Sequence, residues 1–229
     1  MEHRSEESSH ETGRLHDVRI LVNRDALPVW FSLLQQGFLV EANLGRSLTN
    51  VLSDQIGLSP EYLEERVQTI FMDGKAVDSL ETTLVAEGCV VALSAAMPGF
   101  VGAAFRRSGY YAVMRSSTTH HHEHGDQGER RGRFTLKLFN LLADELGEFF
   151  FTRGILIESH ALAGFLKKQP ESFLLRIMEV HVDGVPVDLM RALSPGDEQG
   201  PLSHPDTLFR ALVPESPPCD VLRIAVVSA

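Results

Sequence analysis

Three groups of residues carry side chains of types that could do chemistry. His120, His121, His122 and His124, with Glu123 among them, present imidazoles, the ligand type of zinc, nickel and copper. They lie in a stretch, 115–133, that has no aliphatic residue. Neighbouring ligands on such a chain cannot close a preorganised site without a large ordering cost, so they stand as weak metal candidates. Next, Pro98, Gly99, Phe100 and Gly102 lead into Arg106 and Arg107, with Tyr110 and Tyr111 just beyond. Guanidinium groups set among aromatics suit docking of an anionic group or an acidic partner. Cys89 and Cys219 form the third group. They lack a C-x-x-C context and are too few for a four-thiolate cluster, so they read as small buried hydrophobes. Glu64-Glu65 and Asp144-Glu145 read as solvated faces. No Ser–His–Asp order, phosphate-cradling glycine loop or dinucleotide fingerprint occurs. No catalytic residue and no cofactor is assigned.

Composition narrows the classes. The 229 residues carry a formal net charge of −10, with 43% hydrophobic and 23% charged residues. That is a globular balance, and an acidic chain is a poor polyanion binder, so no nucleic-acid partner is expected. The charge is uneven: residues 100–133 hold six arginines against three acids, leaving the rest at −13. No apolar run reaches about 18 residues and the first residues lack a signal-peptide core, which points to a cytoplasmic protein without a membrane partner. Residues 1–16 read as a disordered tail.

The elements that must position these residues occur twice. Val18–Asn23 answers Thr135–Asn140 and Gly37–Ala42 answers Gly154–Ser159, both offset by 117. Asp73–Asp78 answers Asp183–Asp188 at an offset of 110. Each copy reads as a strand, a second strand in a hairpin with it, a helix, a third strand, an Asp-Gly turn, a short strand and a last strand. The connection Arg24–Gln36 is too long for a tight turn, so irregular or strand-extended ends are expected. Ser47 suits a helix N-cap, Gly57 a helix C-terminus, and Ser59-Pro60 starts a second short helix. Trp30 and the Phe149–Phe151 run read either as strand core or as contact with the other domain or a sister subunit. The division is tail 1–16, first domain with its arm 17–114, His/Arg-rich linker 115–133, and second domain 134–229.

This order resembles the β-grasp fold of ubiquitin-like proteins, which makes the class α+β with two tandem β-grasp domains, each a mixed sheet with one packed helix. The first copy is similar to the small sulfur-carrier proteins of molybdopterin and thiamine biosynthesis. Asp73-Gly74 matches their turn, Thr83-Leu84 their loop, Val90–Leu93 their last strand, and Pro98 to Gly102 falls where their tail lies. Those carriers act through a free C-terminal Gly-Gly, whereas here Val101-Gly102 is followed by another 127 residues. The resemblance therefore implies a non-enzymatic ubiquitin-like interaction module with a protein partner, using Pro98, Gly99, Phe100, Gly102, Arg106 and Arg107. Homodimerisation or pairing of the two domains within the chain also fits. The alternatives are a sulfur carrier activated by proteolysis near Gly102, and a small-ligand or metal-binding enzyme with its site between the domains.

Overall fold

Alternation of burial marks the strands. In β1 (His16–Val22), His16, Val18, Ile20 and Val22 are buried while Asp17 and Arg19 are exposed, the period of two of a strand with one wet face. A computed structural model describes residues 15–95, 130–190, 204–213 and 221–229. The further strands are β2 (Phe38–Leu44), β3 (Thr69–Met72), β4 (Lys75–Ala76), β5 (Val90–Ser94), β6 (Arg130–Phe139), β7 (Ile155–Glu158), β8 (Ile177–Val182), β9 (Val185–Pro186) and β10 (Val221–Ser228). The helices are α1 (Leu27–Trp30), α2 (Ser32–Gln36), α3 (Leu48–Asn50), α4 (Pro60–Glu65), α5 (Leu141–Arg153), α6 (Ser159–Lys167), α7 (Glu171–Leu174) and α8 (His204–Leu212).

The class is α+β, with one mixed sheet of ten strands running through both segments in the order β4-β3-β5-β6-β2-β7-β10-β1-β8-β9. Strands of the two segments interleave. β6 lies between β2 and β5, antiparallel to the first and parallel to the second. β1 lies between β10 and β8, parallel to the first and antiparallel to the second. A single residue pair, Leu39 with Leu156, joins β2 to β7 at the centre.

The expected hairpin between the first two strands of each copy does not form. β1 and β2 run in the same direction with β10 and β7 between them, and β6 and β7 run in the same direction with β2 between them. Parallel strands cannot be joined by a tight turn and need a crossover of a dozen or more residues, usually helical. Arg24–Gln36 is accordingly a 3₁₀ turn followed by α1 and α2, and α5 fills the same place in the second copy. Phe149–Phe151 are thus helical rather than strand residues. Gly37 (φ +116°) and Gly154 (φ +82°) end these crossovers with left-handed backbone, which accounts for the repeated glycine. β6 begins at Arg130, so the last four residues of the expected linker, Arg130 to Arg133, are strand.

Other local signals hold. Ser47 and Ser59 cap their helices by accepting from the Asn50 and Tyr62 N–H groups at 3.3 and 3.1 Å. A π-helical turn, Val51–Gln55, extends α3 before the left-handed Gly57. Asp73-Gly74 and Asp183-Gly184 both have two positive φ values, the geometry of a tight primed turn.

The buried face of the sheet and the helices share one apolar cluster. Its aromatic contacts cross between the segments. Trp30, fully buried, lies 4.9 Å from Phe165 and 5.6 Å from Phe173, and Phe31 and Phe38 meet Phe151 and Phe150 at 6.1 and 4.9 Å. Gly147 in α5 makes one of these contacts possible, since a Cβ there would sit 2.4 Å from the Phe31 ring.

Candidate functional site on the open face of the sheet

The alternation that buries one side of each strand turns polar side chains to the other. On β1 these are Asp17 and Arg19, on β10 Arg223, and on β8 Glu179 and His181. With Leu21, Ala225 and Val227 among its apolar residues, they line a groove of about 610 Å³. A second cleft of about 380 Å³ opens where β2 and β7 meet, lined by Leu39, Val40, Leu156, Phe149 and Phe150, with Glu41, Arg131, Arg153 and Arg223. Arg153 and Arg223 line both.

The arginines are held by the backbone and by few carboxylates. Arg153, last residue of α5, donates from Nη1 to the Phe149 carbonyl at 3.0 Å, with its guanidinium carbon 3.6 Å from the centre of the Phe149 ring. Arg223 donates from Nη2 to the Arg153 carbonyl at 2.8 Å. The Arg223 bond satisfies an orphan carbonyl at the helix C-terminus, where cations are also favoured by the helix dipole. Arg223 Nε lies 3.8 Å from Asp17 Oδ1. On the other wall, Glu41 accepts from Arg133 Nη2 at 2.6 Å and Arg131 Nη2 at 3.3 Å. The Arg133 hydrogen bond holds the Glu41 carboxyl below its ordinary pKa, against a smaller opposing effect of burial.

Two further polar constellations tie the fold together. His16 is nearly buried, and its Nδ1 is 2.7 Å from Asp183 Oδ2, while Nε2 has no partner among the described residues. The pair joins the start of β1 to the β8–β9 turn. Glu145 is the second case. Instead of belonging to a solvated face, it accepts from Tyr62 Oη at 2.8 Å and from Arg66 Nε at 3.2 Å, linking α4 to α5. The Arg66 hydrogen bond lowers the Glu145 pKa, and burial followed by the bond to Glu145 raises that of Tyr62.

Cys89 is buried, and desolvation pushes its thiol up to about 11, so it stays protonated at neutral pH. The sequence-based site residues Pro98, Gly99, Phe100, Gly102, Arg106 and Arg107 lie outside the described residues. So do His120, His121, His122, His124 and Cys219. Among the described residues, no group of three or more His, Cys, Asp or Glu could hold a metal ion, and no helix is long and apolar enough to cross a membrane.

The open-face arginines were not singled out by the sequence reading, although one signal was present. Arg223 is the one polar residue in the run VLRIAVV, which marks it as outward-facing. Its position beside Arg153 depends on β10 pairing with β7, where Arg223 is opposite Leu156. No local pattern encodes that pairing. Comparison with protein-family models, with curated proteins and with solved structures finds no match to this chain.

Proposed function

We propose that the chain is a non-enzymatic interaction module of ubiquitin-like character, acting as an intact tandem and docking a protein partner on the open sheet face. Strands β4-β3-β5-β6-β2 support the fold part of this reading. They have the order and directions of a β-grasp sheet, with a parallel central pair flanked by antiparallel strands, if β6 is taken as the first strand. The opposite half, β7-β10-β1-β8-β9, repeats the same directions.

One observation carries the choice of an intact module over a released sulfur carrier: β6 lies between β2 and β5. Cleavage near Gly102 would part β1–β5 from the strand that completes their half of the sheet. A carrier must leave with its own sheet whole, because an opened sheet exposes unpaired backbone groups. The groove over β10, β1 and β8, with mixed charges around an apolar strip, suits a partner with complementary charges.

Intact-mass spectrometry of the protein from its native cells, with affinity capture of the wild type and an Arg19→Glu/Arg223→Glu variant, tests the reading. The expected result is a chain uncleaved near Gly102, with a specific partner retained by the wild type and lost by the folded variant. A fragment ending at Gly102 with one oxygen replaced by sulfur would overturn it in favour of the carrier. Equal capture by both proteins would remove the open face as the docking surface.

A further inference from the structure

We propose that the cleft between β2 and β7 binds a small organic oxyanion, a carboxylate or phosphate monoester with an apolar body. The cleft exists because the two strands touch at one residue pair only, Leu39 with Leu156, and part beyond it. Each has its other edge taken, β2 by β6 and β7 by β10. The resulting space of about 380 Å³ is within the range of small-molecule sites.

Its lining is apolar with cations added. Phe149, Phe150, Leu39 and Leu156 supply apolar surface, and three guanidiniums, Arg131, Arg153 and Arg223, face one carboxylate, Glu41. That excess of positive charge stands out in a chain with a formal charge of −10. Glu41 is already engaged by Arg133 as well as Arg131, and Asp17, outside the cleft lining, lies 3.8 Å from Arg223 Nε, so the carboxylates offset the cleft arginines only in part.

The arginines are also held in place. Arg153 uses one donor on the Phe149 carbonyl and lies over the Phe149 ring, and Arg223 uses one on the Arg153 carbonyl. A guanidinium has five donors in a planar fork. Bonds to carbonyls of the last helical turn and the residue before it account for one donor on each of these two and for none on Arg131. Gly154 sits between them at φ +82°, and a Cβ there would come 2.8 Å from Arg223 Nε, so the bare backbone lets the side chain lie against the helix end. Preorganised forks recognise carboxylate and phosphate oxygens in pairs, and the aromatic wall takes the rest of the ligand. A long polyanion would need a continuous basic track, whereas Asp17 and Glu179 line the neighbouring groove.

The proposal goes beyond the docking reading and does not depend on it, because binding is measured on the full chain with no partner. Isothermal titration with phenyl phosphate, benzoate, inorganic phosphate and neutral benzyl alcohol provides the test, with amide chemical shifts to locate the site. Phenyl phosphate and benzoate are expected to saturate one site and to shift the Phe149 and Gly154 amides. Arg223→Gln should weaken both about ten-fold or more, the effect of losing a charge-assisted pair. Arg131→Gln, at a side chain 79% exposed and bonded only to Glu41 among the described residues, should also weaken them without disturbing the helix end. Phe149→Leu removes both the aromatic wall and the ring beneath Arg153, so it should weaken phenyl phosphate and benzoate alike. Absence of saturable binding would overturn the proposal. So would wild-type affinity in both arginine variants, or inorganic phosphate or benzyl alcohol binding as well as phenyl phosphate.

Discussion

Asp183 grips Asp17 at two points: its N–H donates to the Asp17 carbonyl at 2.8 Å, and its Oδ1 accepts from the Asp17 N–H at 3.0 Å. Asp73 treats Val90 in the same way, at 2.9 and 2.8 Å. Asp73 and Asp183 are the equivalent residues of the two Asp-Gly turns. Asp17 on β1 therefore occupies, in the second half of the sheet, the place that Val90 on β5 has in the first. The last strand of the first copy follows its own turn, but the second copy's turn holds the first strand of the whole chain. β10, the second copy's own last strand, lies one place further in.

Removing the carboxylate from this turn should cost more than removing its counterpart. Asp183→Ala loses the bonds to Asp17 and to nearly buried His16 and leaves a non-glycine residue at φ 52° without polar compensation. We expect a loss of about 2–3 kcal/mol, against about 1–2 kcal/mol for Asp73→Ala. Urea unfolding followed by the fluorescence of Trp30, the one tryptophan in the chain, measures both.

Neither copy should fold alone. Residues 17–114 lack β6, which completes their half of the sheet, and residues 134–229 lack β1. Each fragment by itself is expected to give a non-cooperative transition. Co-expression of 1–114 with 115–229 should restore a two-chain complex with the blue-shifted emission of a buried Trp30. A cooperative transition from either fragment alone would contradict the interleaved sheet.

Two helical glycines should respond in opposite directions. Gly147→Ala forces a Cβ against the Phe31 ring and is expected to destabilise by about 1–3 kcal/mol. Gly164 in α6 has nothing within 4 Å of the added carbon, so Gly164→Ala should stabilise by about 0.5–1 kcal/mol through helix propensity. Urea midpoints of the two variants against the wild type decide both.

Acid should weaken the fold through Glu41 and Glu145. Arginine hydrogen bonds hold both carboxyls below the ordinary value of 4.5, so the folded chain binds fewer protons than the unfolded one near that pH. Their contribution is complete above about pH 5 and is lost as the pH falls through the folded values. Both pairs are partly exposed, so each should contribute less than about 1 kcal/mol. Glu41→Gln/Glu145→Gln should flatten the fall in urea midpoint between about pH 5 and pH 3.

Much of the local structure was legible because its causes lie within a few residues. Ser47 and Ser59 cap the helices that follow them, Gly57 takes the left-handed position after its helical turn, and both Asp-Gly pairs make the tight turns their residue types favour. The offset of 117 pairs Gly37 with Gly154, and both end crossovers with positive φ. The hairpin expectation failed at Arg24–Gln36. Its length and its Leu27, Trp30, Leu33 and Leu34 spacing suit a helical crossover, but two flanking strands of similar pattern suggested direct pairing. The candidate cleft was still less visible, since Arg131, Arg153 and Arg223 come from β6, α5 and β10.

By itself, then, the sequence determined most of the strands, the caps of α3 and α4, the Asp-Gly turns and the twofold repeat, but not the crossover helices. Only the tertiary structure decided which strands are neighbours. The physical reason lies in the backbone ladder: a strand's own alternation specifies its buried face, while its N–H and C=O groups pair equally well with any strand of suitable direction. β1 and β10 are parallel, so exchanging their places leaves every strand direction in that half of the sheet unchanged. Their order is therefore set by packing between the copies, where Trp30 meets Phe165 and Phe173, rather than by any pattern within one copy.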